Sequence, residues 1–266
     1  MTLPLFGAEG DPGPDFAALL RSTGFEPPTP SAPAGDTAIA HATTVVAIRF
    51  RQGVVMAGDR RATAGHLIRH RTIEKVFPAD RHSGVAIAGA AGPAMEMVRL
   101  FQLQLEHYEK VEGKRLSLDG KANQLAMLVR NNLPAAMQGF AVVPLFAGYD
   151  TGREAGRLFQ YDVTGGRYEE QEYAVGGSGS LHAGTVIKLG YRPDADADEM
   201  IDLTVSALFR TAEEDSATGG PDLIRGIYPV VAVIGASGFE RVADSEVEAR
   251  FRDLLADLER RGGDLP

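Results

Sequence analysis

Residues 43–63 read TTVVAIRFRQGVVMAGDRRAT, and the rest of the chain is organised around them. Thr44 to Phe50 is β-branched and apolar, Gln52-Gly53 supplies a turn, and Val54 to Ala57 resumes the apolar run. The pattern predicts two short strands joined as a hairpin. The second strand runs into Gly58-Asp59-Arg60-Arg61. Three charges directly after a buried-looking run are costly to desolvate unless they are paired or sit at a site. On these residues alone, the simpler reading is a hairpin with a solvated end.

Three features outside the stretch count against that simpler reading. Upstream, residues 1–42 hold seven of the fifteen prolines, five glycines, five acidic residues and a single arginine. Such a segment cannot bury enough apolar surface to offset its ordering entropy, so it reads as a largely unstructured leader. It has neither the basic start nor the continuous apolar core of a secretory signal. Within it, only Asp15 to Arg21 reads as a short amphipathic helix. A leader that stops at a threonine opening a strand points to a processed N-terminus, with the cut between Ala42 and Thr43. Downstream, Lys75 interrupts the strand-like run Ile73-Glu74-Lys75-Val76-Phe77. Further on, Ala86-Ile87-Ala88-Gly89-Ala90-Ala91-Gly92 passes from strand to helix. Backbone N–H groups at such a turn can face a developing oxyanion.

Taken in order, Thr43-Thr44-Val45-Val46, Gly58 to Thr63, Lys75 and Ala88-Gly89 resemble the catalytic half of a proteasome β subunit. The stretches Gly176-Gly177-Ser178-Gly179-Ser180 and Asp215-Ser216-Ala217-Thr218-Gly219-Gly220 resemble the two remaining site motifs of that family. The resemblance covers residues 43–266, and the acidic leader with DSATGG is most similar to the actinobacterial branch. Ala42 stands where that branch commonly has glycine, which leaves the nucleophile intact.

Bulk composition agrees with that class. The chain has 266 residues, 44% of them hydrophobic, a net charge of −9 and no cysteine. It is long enough for one large domain plus a leader, and no apolar run approaches a membrane span. The negative charge argues against a nucleic-acid partner. Without cysteine there is no disulfide framework and no thiolate chemistry. Six scattered histidines lack the spacing of metal ligands, so neither metal nor cofactor is expected. A cytoplasmic protein is the natural reading.

Along the chain, strands are expected over His66 to Ile73 and Val76 to Ala88, with Pro78-Ala79-Asp80 as a break. A helix starting at Pro93 carries Ala94, Met97, Val98, Phe101, Leu105 and Tyr108 on one face and closes near Gly113. Ser117 to Gln138 reads as a second helix with Leu118, Leu125, Leu128 and Met137 inward, kinked or shortened at Pro134. Val142 to Tyr149 is strand. Arg157 to Val163 and Tyr168 to Tyr173 flank the hairpin signal Thr164-Gly165-Gly166. Helices follow at Ser180 to Gly190 and Ala197 to Glu213, and Ile227 to Ala236 is strand. Val242 is expected to begin the last strand, and Ser245 to Arg261 is a charged amphipathic helix. Strands and paired helices in this alternation fit an α+β fold, a four-layer αββα sandwich. The resemblance implies the same fold, that of the N-terminal-nucleophile hydrolases.

The chemistry follows from what a threonine needs. A hydroxyl is a weak nucleophile at neutral pH and requires a base within reach. Thr43 at a freed N-terminus carries its own, an α-amine of reference pKa about 8. Lys75 beside it, as an ammonium, favours the alkoxide-like hydroxyl and lowers the amine's pKa. Asp59 holds Lys75 charged and in place, and the planar fork of Arg61 suits loop bracing rather than proton transfer. The resemblance makes the Gly89 N–H the oxyanion donor. It also puts Ser178, Asp215 and Thr218 around the terminal amine, and Ala62, Thr63, Ile73, Ile87, Ala91 and Met95 in an apolar substrate pocket. It further implies heptameric rings of this chain stacked and capped by α subunits, served by an unfolding ATPase that delivers unfolded proteins. Two other readings stay open at this point, a two-tier bacterial heat-shock threonine peptidase and a catalytically silent ring subunit. The first is disfavoured by chain length, the second by Thr43, Asp59 and Lys75 occurring together.

Overall fold

The computed structural model describes residues 43–65 and 67–263. The leader, with the helix expected at Asp15 to Arg21 and with Ala42, lies outside the described residues. β1 (Thr44–Phe50) and β2 (Gly53–Gly58) form the expected hairpin, paired from Val45↔Gly58 to Phe50↔Gly53. It is the centre of a five-stranded antiparallel sheet. On one side β1 pairs with β10 (Tyr173–Gly177); on the other β2 pairs with β11 (Val230–Gly235), which carries β12 (Gly238–Arg241) at the edge. The second sheet runs in chain order through β5 (Val76–Asp80), β6 (Ser83–Gly89), β7 (Val142–Asp150), β8 (Ala155–Tyr161) and β9 (Arg167–Glu170). A small separate pair, β3 (Ala62–Ala64) and β4 (Leu67–His70), stands beside them.

The inner strands of both sheets are largely apolar on both faces, because each sheet is covered twice. Val45, Ala47, Val54 and Met56 from the first sheet meet Ala86, Ala88, Leu145, Ala147 and Leu158 from the second in a core between the sheets. The alternate residues Val46, Ile48, Phe50, Val55 and Ala57 turn outward. There they pack against α4 (Ser180–Gly190), α5 (Ala197–Glu214) and α6 (Asp244–Gly263). On the far side Val85, Ile87, Phe146 and Phe159 pack against α1 (Ala91–Glu112) and α2 (Leu118–Asn131). The result is helices, sheet, sheet, helices, an αββα sandwich. Burial of each large side chain contributes about 1.5–3 kcal/mol. The Phe101, Phe146 and Phe159 rings, with centroids 5.8 and 5.9 Å apart, anchor the α1–α2 side.

Several boundaries differ from the sequence reading, each for a physical reason. Pro78 to Asp80 is not a break but part of β5, a strand at the sheet edge where a proline costs no ladder hydrogen bond. The turn falls instead at Arg81-His82, between β5 and β6. The second helix ends at Asn131, and Pro134 lies in a separate short turn, α3 (Leu133–Ala136). Met137, expected inward, is 68% exposed beyond that break. Tyr173 does not end β9 but starts β10, which crosses to the other sheet. The last strand is β12, and Val242 follows it rather than beginning it. The predicted ends at Ser117 and Gly113 correspond to a Ser117 hydroxyl accepting from Gly120 N–H and to a left-handed Gly113.

Candidate active site

The site forms where β1 begins and β2 and β10 end, beside the start of α1. Asp59, the residue after β2, is completely buried, which is tolerable only because every lone pair is answered. Its Oδ1 accepts from Lys75 Nζ at 2.6 Å and from Thr44 N–H at 2.8 Å. Its Oδ2 accepts from Arg61 N–H and Gly219 N–H, both at 2.9 Å. One carboxylate thereby ties its own turn to three other chain segments, at Thr44, Lys75 and Gly219.

Lys75, immediately before β5, is 3% exposed. Burial pulls its pKa below the usual lysine value, against the Asp59 carboxylate, which holds it up, while the nearby Arg61 charge lowers it further. Thr43, 5% exposed, shares with Lys75 a cleft of about 260 Å³. Gly89 lies on the same cleft. Its φ is +117°, and a Cβ there would overlap the Ala141 carbonyl oxygen, so only glycine fits.

Ser178 and Asp215 approach from the other side. Ser178 N–H donates to the Thr43 carbonyl at 2.9 Å, and its hydroxyl donates to Asp215 Oδ2 at 2.6 Å. Gly177, at φ +92°, leaves room for this, since a Cβ would collide with the Thr43 carbonyl. Thr218, fully buried, donates its hydroxyl to the same Asp215 oxygen at 2.7 Å. Partial burial pushes the Asp215 pKa up, but the Ser178 and Thr218 hydroxyls and Ala217 N–H outweigh it, and the carboxyl ends below its usual value. Arg61 braces the loop by donating to the Ser216 carbonyl at 2.8 Å. The nine residues Thr43, Asp59, Arg61, Lys75, Gly89, Gly177, Ser178, Asp215 and Thr218 therefore surround one point of the fold. Such a set can hold a hydroxyl beside an ammonium, with an apolar cleft open to a substrate chain.

Ala62, Thr63, Ile73, Ile87, Ala91 and Met95 all line that cleft. Ala94 joins them, and so do Arg69, His70 and Glu74, so the wall toward β4 is charged and not purely apolar as expected. Sequence reasoning missed Arg69 and His70 because His66 to Ile73 read as an ordinary strand. It also passed over Thr44, whose hydroxyl is bound to Thr218. Among the described residues, no three His, Cys, Asp or Glu side chains group as metal ligands, and no helix is long and apolar enough to cross a membrane.

A proteasome-subunit family model matches residues 39–224, which spans the whole site. The chain is 57% identical over 263 residues to a proteasome subunit beta of Acidimicrobium ferrooxidans, covering 98% of this chain and 96% of the relative. The chain belongs to the actinobacterial proteasome β-subunit family. Two other proteasome β subunits agree, from Streptomyces griseus at 57% identity over 81% of this chain and 76% of that protein, and from Acidothermus cellulolyticus at 56% over 82% and 77%. As a proteasome β-type subunit of the N-terminal-nucleophile class, it is a threonine endopeptidase subunit of a proteasome-like particle.

Proposed function

We propose that Thr43, freed by cleavage after Ala42, is the nucleophile of this endopeptidase. The observation that carries the reading is the convergence of Thr43, Lys75 and Gly89 on one cleft, with Asp59 holding Lys75 from behind. Before cleavage the Thr43 nitrogen is an amide with no useful basicity. The hydroxyl attacks the Ala42 carbonyl with a water as base, the C–N bond breaks, and an ester forms. Water then hydrolyses the ester, leaving an Ala42 carboxylate and a Thr43 α-amine. Residues 1–42 are thereby a propeptide, and 43–266 the mature peptidase.

In later turnovers the α-amine takes the hydroxyl proton, Lys75 stabilises the alkoxide, and Gly89 N–H receives the oxyanion, a contribution of about 2.7–4 kcal/mol for such donors. Ser178, Asp215 and Thr218 order the amine. Ala62, Thr63, Ile73, Ile87, Ala91 and Met95 receive an apolar side chain before the scissile bond. The family assembly makes copies of this chain and proteasome α subunits its partners in stacked heptameric rings, in the cytoplasm, with an unfolding ATPase supplying unfolded protein. Heterologous contacts close into such rings when the rotation permits.

A threonine-directed covalent inhibitor applied to the assembled particle tests the reading. Peptide mapping is expected to locate the adduct on Thr43. An adduct elsewhere, or none with full peptidase activity, overturns it.

A further inference from the structure

We infer that Thr44 is a positioning residue, whose hydroxyl holds the Asp215–Thr218 loop and the start of α4 in place around Thr43. The inference rests on the reading of Thr43 given above. As a strand residue, Thr44 needs only a β-branched shape, which valine would supply equally well. Its hydroxyl is instead completely buried and fully engaged. Gly179 N–H donates to Thr44 Oγ1 at 3.2 Å, and Thr44 Oγ1 lies 2.6 Å from Thr218 Oγ1.

Proton counting fixes the direction of that second contact. A hydroxyl has one proton, and Thr218 gives its own to Asp215 Oδ2. Thr44 must therefore donate to Thr218. The chain runs from Gly179 N–H to Thr44, to Thr218, to the Asp215 carboxylate, which also accepts from Ser178. Ser178 in turn grips the Thr43 carbonyl through its backbone N–H. Thr44 also donates its backbone N–H to Asp59, the carboxylate that holds Lys75. It is thereby hydrogen-bonded both to Asp59 and to Thr218. The approach is close, since a Cβ on Gly179 would overlap Thr44 Oγ1.

Loss of the hydroxyl leaves Gly179 N–H without an acceptor and Thr218 without a donor, and neither Thr44, Gly179 nor Thr218 lines the cleft. Small misplacements of reacting groups lower turnover steeply without weakening substrate binding. In the assembled particle, we expect Thr44→Val to lower kcat at least tenfold with KM within about twofold. Turnover is counted per chain whose intact mass begins at Thr43, so incomplete processing does not mimic the effect. Thr44→Ser, which restores the donor, is expected to recover most of the loss. Thr44→Cys, similar in size but a weak donor, is expected to behave as Thr44→Val and carries the comparison if valine blocks assembly. Wild-type kcat in either variant overturns the inference, as does a loss that serine fails to restore. Failure of both to assemble, while serine assembles, assigns the hydroxyl to folding and also overturns it. If wild-type protein neither turns over nor labels at Thr43, the reading of the nucleophile falls and takes this inference with it. Labelled wild type with unchanged Thr44→Val sinks the inference alone.

Discussion

Lys75 Nζ sits 2.6 Å from Asp59 Oδ1, with the lysine side chain 4% and the aspartate side chain 0% exposed. A pair this deeply buried is held only while both members are present. Removing one leaves an uncompensated charge, at a cost of about 3–5 kcal/mol. Asp59→Asn is therefore expected to lower the thermal stability of the particle as well as its turnover. A variant with wild-type Tm and kcat would refute the pairing's importance.

Lys75→Ala removes the cation beside Thr43, and at least a hundredfold loss of kcat is expected. Burial lowers the Lys75 pKa from 10.5, so its charge is lost at a lower pH than on a free lysine. Turnover that depends on that charge should decline on the alkaline side before pH 10.5, and on the acid side as the Thr43 amine becomes protonated. A kcat–pH profile rising without limit to pH 10.5 would contradict the role given to Lys75.

Gly89 and Gly113 both have positive φ, but only Gly89 has a neighbour where a side chain would go. Gly113→Ala should cost about 1 kcal/mol, the ordinary penalty of a left-handed residue. Gly89→Ala must also displace the Ala141 carbonyl and should abolish activity. Denaturant unfolding and peptidase assays on the two variants, compared side by side, check the contrast.

The hairpin of β1 and β2 was legible because alternation and a Gln52-Gly53 turn are local signals. So were the stops at Gly113 and Gly165-Gly166. β10 was not, since Tyr173-Ala174-Val175-Gly176-Gly177 follows β9 after only two residues and becomes a strand by pairing with distant β1. The site divides the same way. Asp59 and Lys75 stood out as charges in apolar company and Thr43 as the residue where the leader stops, whereas Thr44 looked like any β-branched strand residue. The Gly219 N–H on Asp59 crosses 160 positions, and no local pattern announces it.

Acid should destabilise the fold through carboxylates held below their usual pKa. Arg157 and Arg167 hydrogen bonds bring Asp119 from 3.8 to about 2, and Asp80, despite burial, is lowered by Lys121 at 2.5 Å. The folded value lies below the unfolded one, so each contribution is fully present above the unfolded pKa. It is lost as pH falls toward the folded value, for Asp119 between about 4 and about 2. Tm should drop over that window, and Asp119→Asn should flatten the drop. An unchanged slope would exclude Asp119 from it.

The pocket reading is tested by Ala91→Asp, which places a carboxylate on the cleft wall. Cleavage after apolar residues should fall and cleavage after basic ones rise in a peptide library. An unaltered profile would remove Ala91 from the pocket.

By the mechanism proposed, Thr43 becomes the first residue of the working enzyme through its own chemistry. Intact mass of the chain from assembled particles tests it most directly. Wild-type protein should begin at Thr43, and Thr43→Ala should keep the bond after Ala42 uncut. An active wild-type particle still carrying residues 1–42 would rule that chemistry out.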